Sequence, residues 1–315
     1  MALLLRQDEV AGLLDLPTAI AVTERLFAEQ AAGDLAPSAP RLLRLRHGTM
    51  RMVAGALQGT GRAGIRVSAG ASDPPLAVLY DSESGKVLSI QAYPYSSLRI
   101  GATVGLSVRR LAPERVATVG LIGSGRNAQS LLEGVCWARP DVREIRVFSR
   151  RPEHREQFAR AVQDALGRVA APVESGQRAV EGAQIVLTAT DPREPVLLGE
   201  WLGPGQCVVS IGRPNELAAD VYQRADFVVV TSLAHEQDYW DRTVDQPLLD
   251  LVACGEVRWH EIGDVLAGRV QPPKAADQAL TVVRESQGGV GDVALAGWVY
   301  ERARALGLGR EWSFG

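Results

Sequence analysis

Two stretches of the chain carry residue types whose spacing could do chemistry. In the first, Val116-Ala-Thr-Val-Gly-Leu-Ile-Gly-Ser-Gly-Arg-Asn-Ala128, an apolar run breaks into Gly123-x-Gly125-x-x-Ala128 and then into helix-like text from Gln129 to Ala138. A strand that ends in closely spaced glycines and opens a helix aims N-terminal N–H groups at a pyrophosphate. Gly123 serves the tight turn, Gly125 lets the backbone approach phosphate, and Ala128 permits close helix–strand packing. The second stretch is Glu144-Ile-Arg-Val-Phe148, a strand that ends in Ser149-Arg150-Arg151. An acidic residue about 20 residues past the glycines would bind the ribose 2′-hydroxyl of NAD. A hydroxyl and two guanidinium groups suit a 2′-phosphate instead, through charge-assisted, bidentate hydrogen bonds. The expected cofactor is therefore NADP(H), in preference to NAD(H).

These groups have to be held by a frame, and the rest of the chain supplies one. Its 315 residues are 46% hydrophobic, enough for two domains with their own cores. From Ala112 to about Ile262 short apolar strands (116–122, 144–148, 184–189, 206–211 and 226–231) alternate with helical text such as 152–168, the signature of a doubly wound parallel sheet. Before it come a helix on Leu16–Glu29 and strand-like text over 41–66. A hairpin with strands 76–81 and 87–92 follows, then a helix from about Ser96 to Arg110. After Pro272-Pro273 come a short strand (279–283) and a final helix, Val290 to Leu306, which returns to the first domain. The expected fold class is α/β. A Rossmann-type doubly wound parallel sheet (113–288) joins a discontinuous α+β domain (1–112 with 289–315) that serves substrate binding and dimerisation.

Composition excludes other classes. A net charge of −3 argues against nucleic acid or an anionic membrane surface as partner. No run of about 18 apolar residues and no basic-then-apolar leader is present. Cys136, Cys207 and Cys254 are odd in number and lack metal-ligand spacing, so the reading is a reduced, cytoplasmic protein with no metal site. His47, His154, His235 and His260 stand singly. The only lysines are Lys86 and Lys274.

In order along nearly the whole chain, a further set of short motifs appears. They are Pro40-Arg41, Asp81-Ser-Glu-Ser-Gly85, Ser97-Leu-Arg99, Gly120-Leu-Ile-Gly-Ser-Gly125, Phe148-Ser-Arg150, Thr188-Ala-Thr190 with Glu194-Pro195-Val196, Glu200-Trp-Leu-Gly-Pro-Gly205, Glu216-Leu217, Leu266-Ala-Gly-Arg269 and Asp292-Val-Ala-Leu-Ala296. Their sequence and spacing resemble the ornithine cyclodeaminase/mu-crystallin family, which also contains amino-acid dehydrogenases and imine reductases. The resemblance implies a homodimer built on the first domain, with NAD(P)H in the second. It implies Arg41 and Arg99 as the arginines that hold a substrate carboxylate. It also implies Ser124, Arg126 and Asn127 at the pyrophosphate turn, Thr188-Ala189-Thr190 along the ring-side pocket, and Ile211-Gly212 ending the strand beside the nicotinamide.

Two departures from the family pattern fall on the substrate side. Where the family has a lysine in a Gly-x-Lys segment, this chain reads Gly64-Ile65-Arg66. Arginine keeps the positive charge but is a poor proton donor or acceptor. The family loop that carries an acting aspartate is here Ile211-Gly-Arg-Pro-Asn-Glu-Leu217, without it. Arg66 and Glu216 are the expected catalytic residues, with Arg66 binding substrate as well. Glu216 also matches a family glutamate that is normally structural, and His47, Tyr93 and Tyr95 are the other acid/base candidates. The expected activity is NADP(H)-dependent reduction of a C=N bond in a small carboxylated imino acid or dehydroamino acid tautomer. The alternatives are a cyclodeaminase-type lyase that recycles bound NAD and a non-enzymatic NADPH-binding protein.

Overall fold

A computed structural model describes residues 1–70, 73–238, 243–286 and 288–314. The chain forms two compact units: residues 1–102, 237–238 and 288–314 make the first, residues 103–236 and 243–286 the second. The split falls after residue 102, and the chain returns to the first unit at residue 288, just before its final helix.

In chain order the first unit begins with β1 (Ala2–Leu5), α1 (Gln7–Ala11) and α2 (Leu16–Ala32). Asp15 starts α2 by accepting a hydrogen bond from the Thr18 N–H at 2.9 Å, and Gly33 stops it. Then follow β2 (Leu35–Pro37), β3 (Arg41–Leu45), β4 (Gly48–Leu57), β5 (Arg62–Ala69), β6 (Leu76–Asp81), β7 (Val87–Ala92) and α3 (Tyr95–Leu111). The β6–β7 hairpin has the bounds its turn chemistry predicts: Asp81 Oδ1 accepts from the Ser84 N–H (2.8 Å) and the Ser84 hydroxyl (2.7 Å).

The second unit carries β8 (Thr118–Ile122), α4 (Ala128–Ala138), β9 (Glu144–Phe148), α5 (Pro152–Leu166), β10 (Val169–Pro172), α6 (Gly176–Val180), β11 (Ile185–Thr188) and β12 (Cys207–Ser210). It continues through α7 (Ala219–Arg224), β13 (Phe227–Val230), α8 (Leu233–Asp238), α9 (Pro247–Ala253), β14 (Trp259–Glu261), α10 (Ile262–Leu266) and β15 (Thr281–Arg284). All its strand pairings are parallel, in the order β10-β9-β8-β11-β12-β15-β13-β14. Strands β11, β12, β13 and β15 are buried at every residue, as a sheet covered on both faces requires. The order reverses at β8, with β9 on one side and β11 on the other, which is where such sheets bind ligands.

The chain returns through α11 (Gly289–Leu306) and β16 (Arg310–Trp312) to complete the first unit's sheet, β16-β1-β7-β6-β5-β4-β2, with β3 paired to β4. Helix α11 lies against β4, β5 and β6, and glycine lets it come close. A Cβ on Gly64 would meet the Val78 carbonyl at 2.8 Å and Val293 at 3.0 Å; one on Gly55 would meet Val290 at 2.6 Å. Cross-strand register sorts the two faces. Val53, Arg66, Ala77 and Gln91 form one buried row on the α11 face. Arg41, Met52, Val67 and Leu76 form a row on the other face, with Leu43 and Met50 beside them. That second face is apolar and open: Leu43 is 51% and Leu76 47% exposed.

Five strands escaped the sequence reading: β1, β2, β10, β14 and β16 are each only three or four residues long. Among the described residues no helix is long and apolar enough to cross a membrane, and no group of three or more His, Cys, Asp or Glu side chains could hold a metal ion.

Candidate functional site

The second unit's cluster gathers at the carboxyl ends of its parallel strands. After β8 the chain turns at Gly123, whose φ of 112° and whose approach to Ala189 (a Cβ would sit 2.5 Å from that carbonyl) exclude any other residue. The Gly123 N–H donates to the Phe148 carbonyl at 2.8 Å, tying the turn to the end of β9. Gly125 is exposed, and a Cβ there would touch only the Ala189 carbonyl, at 3.7 Å, so the backbone is open to a ligand. No side chain caps the first turn of α4, which follows Ser124, Arg126 and Asn127. At the end of β9, Ser149 is half-buried while Arg150 and Arg151 are exposed, and neither guanidinium bonds to a described residue. These features fit a dinucleotide: an open glycine backbone faces the pyrophosphate, and two guanidinium groups stand exposed one strand away.

Beneath this edge lies a polar lattice centred on Glu216, whose side chain is fully buried. Its carboxylate accepts from the Thr188 hydroxyl (2.7 Å), the Thr190 N–H (2.5 Å) and hydroxyl (2.6 Å), the Ser210 hydroxyl (2.7 Å) and the Gly212 N–H (2.9 Å). Five donors surround it, and burial leaves it no contact with solvent. The expectation of a catalytic Glu216 is therefore replaced: the carboxylate pins the ends of β11 and β12 together. Thr188 likewise cannot touch a bound molecule, because it is fully buried with its hydroxyl given to Glu216. Ala189, Thr190, Ile211 and Gly212 are half-buried and remain at the edge.

Arg284, which the sequence reading did not single out, completes the lattice from the end of β15. It is 1% exposed. Its Nη1 donates to the Ser210 hydroxyl (2.7 Å) and the Arg213 carbonyl (3.4 Å), and its Nη2 to the Gly212 carbonyl (3.2 Å). Nε lies 3.5 Å from Glu236 Oε1 in a buried ion pair. Burial opposes the guanidinium charge, but Glu236, with Tyr222, Glu216 and Glu285, outweighs it and raises the arginine above its ordinary range. The only sequence signal was a charge ending the apolar run Thr281-Val-Val.

The first unit holds a second cluster. Arg66 Nε donates to Asp292 Oδ2 at 2.6 Å, and Arg99 Nε to Asp292 Oδ1 at 3.3 Å. All three side chains are at least nine-tenths buried. One carboxylate thus holds two guanidiniums by their Nε edges, and the cluster keeps one net positive charge. The Nη groups of Arg66 make no hydrogen bond to any described residue, so their donors stay available to an anion.

Arg41 does not join this cluster. It is exposed on β3, and the register puts it on the face opposite Arg66, so the expected pairing of Arg41 with Arg99 fails on strand alternation. Tyr95, a proton-transfer candidate, is fully buried and donates its hydroxyl to Gln91 Oε1. Burial, with Asp292 and Tyr93 nearby, raises it well above the usual phenol range. Gln91 in turn donates to Ser89 Oγ and the Ala296 carbonyl, both at 2.8 Å. Tyr93 packs edge-on against Tyr95, and His47 is exposed in the β3–β4 turn.

Residues 47–307 match the model of the ornithine cyclodeaminase/mu-crystallin family. The chain belongs to that family. It is 27% identical to a Δ1-pyrroline-2-carboxylate reductase of Bacillus cereus over 76% of this chain and 74% of the relative. Among solved structures, an archaeal alanine dehydrogenase dimer with bound NAD is 25% identical, covers 100% of this chain and 99% of its own, and superposes with a TM-score of 0.85. The Thermococcus litoralis Δ1-pyrroline-2-carboxylate reductase, solved with NADH and L-proline, has a TM-score of 0.86 at 23% identity, over 98% of this chain and 100% of its own, and shares the fold.

Proposed function

We propose that the protein is an NADP(H)-dependent oxidoreductase that reduces the C=N bond of a small carboxylated imino acid, or of a dehydroamino acid that tautomerises to one. The observation that carries this reading is the buried Arg66–Asp292–Arg99 arrangement, with unengaged donors on Arg66. Such a fork recognises a carboxylate in one orientation and so fixes the α-carbon next to it. The reductase and dehydrogenase names of the relatives support hydride transfer as the chemistry. When bound, the reduced nicotinamide supplies the hydride to the C=N carbon, and one proton is taken up to leave the amine. The chain's part is to hold the substrate carboxylate on Arg66 and Arg99 and the dinucleotide on Gly123, Ser124, Gly125, Arg126 and Asn127. Ala189, Thr190, Ile211 and Gly212 border the ring. Glu216 and Thr188 act behind that border, as positioning residues. The open apolar face of the first unit's sheet supports a homodimer, the state in which the archaeal relative was solved. Three free cysteines support a reducing compartment.

The test is a screen of cyclic and acyclic imino acids that follows loss of NADPH absorbance, run alongside Arg99→Leu. The substitution is expected to raise KM and lower kcat together, because anchoring and aim are both lost. Arg99→Lys is expected to restore only part, since a point charge cannot reproduce the fork. A parent that treats carboxylated and decarboxylated imines alike would remove the carboxylate clamp from the reading. Ammonia release from a diamino acid without net cofactor change would replace reduction by the lyase chemistry.

Cofactor choice has its own test. The relatives' structures hold NAD or NADH, whereas Ser149, Arg150 and Arg151 here support the 2′-phosphate. Arg150→Ala with Arg151→Ala is expected to weaken NADPH binding by about 2–4 kcal/mol, from ~1.5–3 for each charged hydrogen bond and some non-additivity. NADH binding should hardly move. Titration of both cofactors into parent and double variant checks this, and parallel losses for the two would assign these arginines no role in the choice.

A further inference from the structure

One group of the second unit's polar lattice, Arg284, takes no part in the reading proposed above. Arg284 lies at the end of β15, fully out of solvent, and spends three hydrogen bonds on Ser210, Gly212 and Arg213. Two of its acceptors are main-chain carbonyls of the turn that leaves β12. The Gly212 residue is therefore gripped twice: its N–H donates to Glu216 and its carbonyl accepts from Arg284. A buried arginine serves no core-packing need that an apolar side chain would not meet better, because burying a charge is costly unless geometry repays it. What it supplies is a rigid fork aimed at carbonyls, which no apolar residue and no lysine can reproduce.

We infer that Arg284 is a positioning residue that fixes the Ser210–Arg213 turn as a floor for the nicotinamide half of the cofactor. The inference rests on the cofactor reading proposed above. The adenine half would be held elsewhere, at Gly123–Asn127 and Ser149–Arg151, on β8 and β9. Arg284 thus divides the affinity of a dinucleotide into two parts with different supports. Losing the fork loosens the turn at the end of β12 and leaves the glycine turn after β8 in place.

The experiment compares each dinucleotide with its nicotinamide-free half. Dissociation constants of NADPH and 2′-phospho-ADP-ribose, and of NADH and ADP-ribose, are measured for the parent and for Arg284→Lys. Lysine keeps the positive charge beside Glu236 but cannot span the carbonyls of Gly212 and Arg213 and the Ser210 hydroxyl together. The expected result is a loss of about tenfold in dinucleotide affinity, with the half-molecules bound within about twofold of the parent. Val282→Ala serves as the stability control. It removes buried methyl groups two residues earlier on β15 and lowers stability without touching the turn. It should leave the ratio of dinucleotide to half-molecule affinity unchanged. If Arg284→Lys weakens both ligands of a pair equally, or if Val282→Ala shifts the ratio as much, Arg284 is only a structural residue of the unit. If the parent itself binds neither pair, the cofactor reading falls and takes this inference with it. If it binds only NADH and ADP-ribose, NADP preference alone fails, and the ratio within that pair still decides the role of Arg284.

Discussion

Glu216→Gln is expected to destabilise the second unit by about 2–5 kcal/mol, because a neutral amide must replace a carboxylate that satisfies five donors. The new NH2 group meets hydroxyls and N–H groups that are themselves donating, so at least one buried donor on each side loses its partner, at ~1–3 kcal/mol for each. The balance with Arg284 suffers too, since one of the three buried carboxylates that act on it, Glu236, Glu216 and Glu285, loses its charge. Amide hydrogen exchange gives the most direct readout, because the N–H groups of Thr190 and Gly212 both donate to this carboxylate. Both should exchange faster in the variant, and the melting temperature should fall. A variant that melted as the parent does while losing all turnover would restore Glu216 as a proton-transfer group.

The second large effect is expected at Asp292. Replacing it by alanine leaves two guanidiniums, each more than nine-tenths buried, without the carboxylate that pairs them. Breaking a buried pair by removing one partner costs about 3–5 kcal/mol, and here one residue pairs with two. The loss should be partly reversed by added small anions, because a carboxylate or sulfate that binds the native cluster but not the unfolded chain stabilises by mass action. The measurement is the melting temperature of Asp292→Ala against acetate concentration at fixed ionic strength, with the parent as reference. A variant no more responsive to acetate than the parent would mean that the two arginines do not converge on a common anion.

How much of this could be read from the sequence follows from how local each signal is. The dinucleotide turn was legible because strand, glycine turn and helix are contiguous, and Gly123 needs a backbone that only glycine adopts. The β6–β7 hairpin was legible because Asp81, Ser84 and Gly85 form a self-contained turn. Asp292 was visible as part of a motif but not as a partner of Arg66 and Arg99, which lie 226 and 193 residues away. Arg284 was hidden the same way: its contacts on Ser210, Gly212 and Arg213 are more than 70 residues off. Arg41 was misassigned because a motif gives a residue type and not a face, and the face depends on a register that β3 and β4 set between them. Strand β1 pairs in parallel with β7 across most of the unit's sequence, and no local pattern announces such a partner.

Arg66 has a consequence for covalent chemistry. Imino acids in water stand in equilibrium with their keto acids, and a keto acid condenses with any unprotonated primary amine to form a Schiff base. A lysine at the position of Arg66 would offer the buried cluster around Asp292 such an amine, but a guanidinium does not. The chain's remaining amines are the N-terminus, Lys86 in the β6–β7 turn and Lys274, which pairs with Asp226 at 2.7 Å. Neither lysine belongs to the arginine cluster or to the glycine edge. Borohydride added to protein and a keto acid should therefore attach adducts at those amines and leave the anion cluster unmodified. On the reductase reading proposed above, an arginine that forgoes proton transfer also keeps the pocket from trapping the hydrolysed form of its substrate.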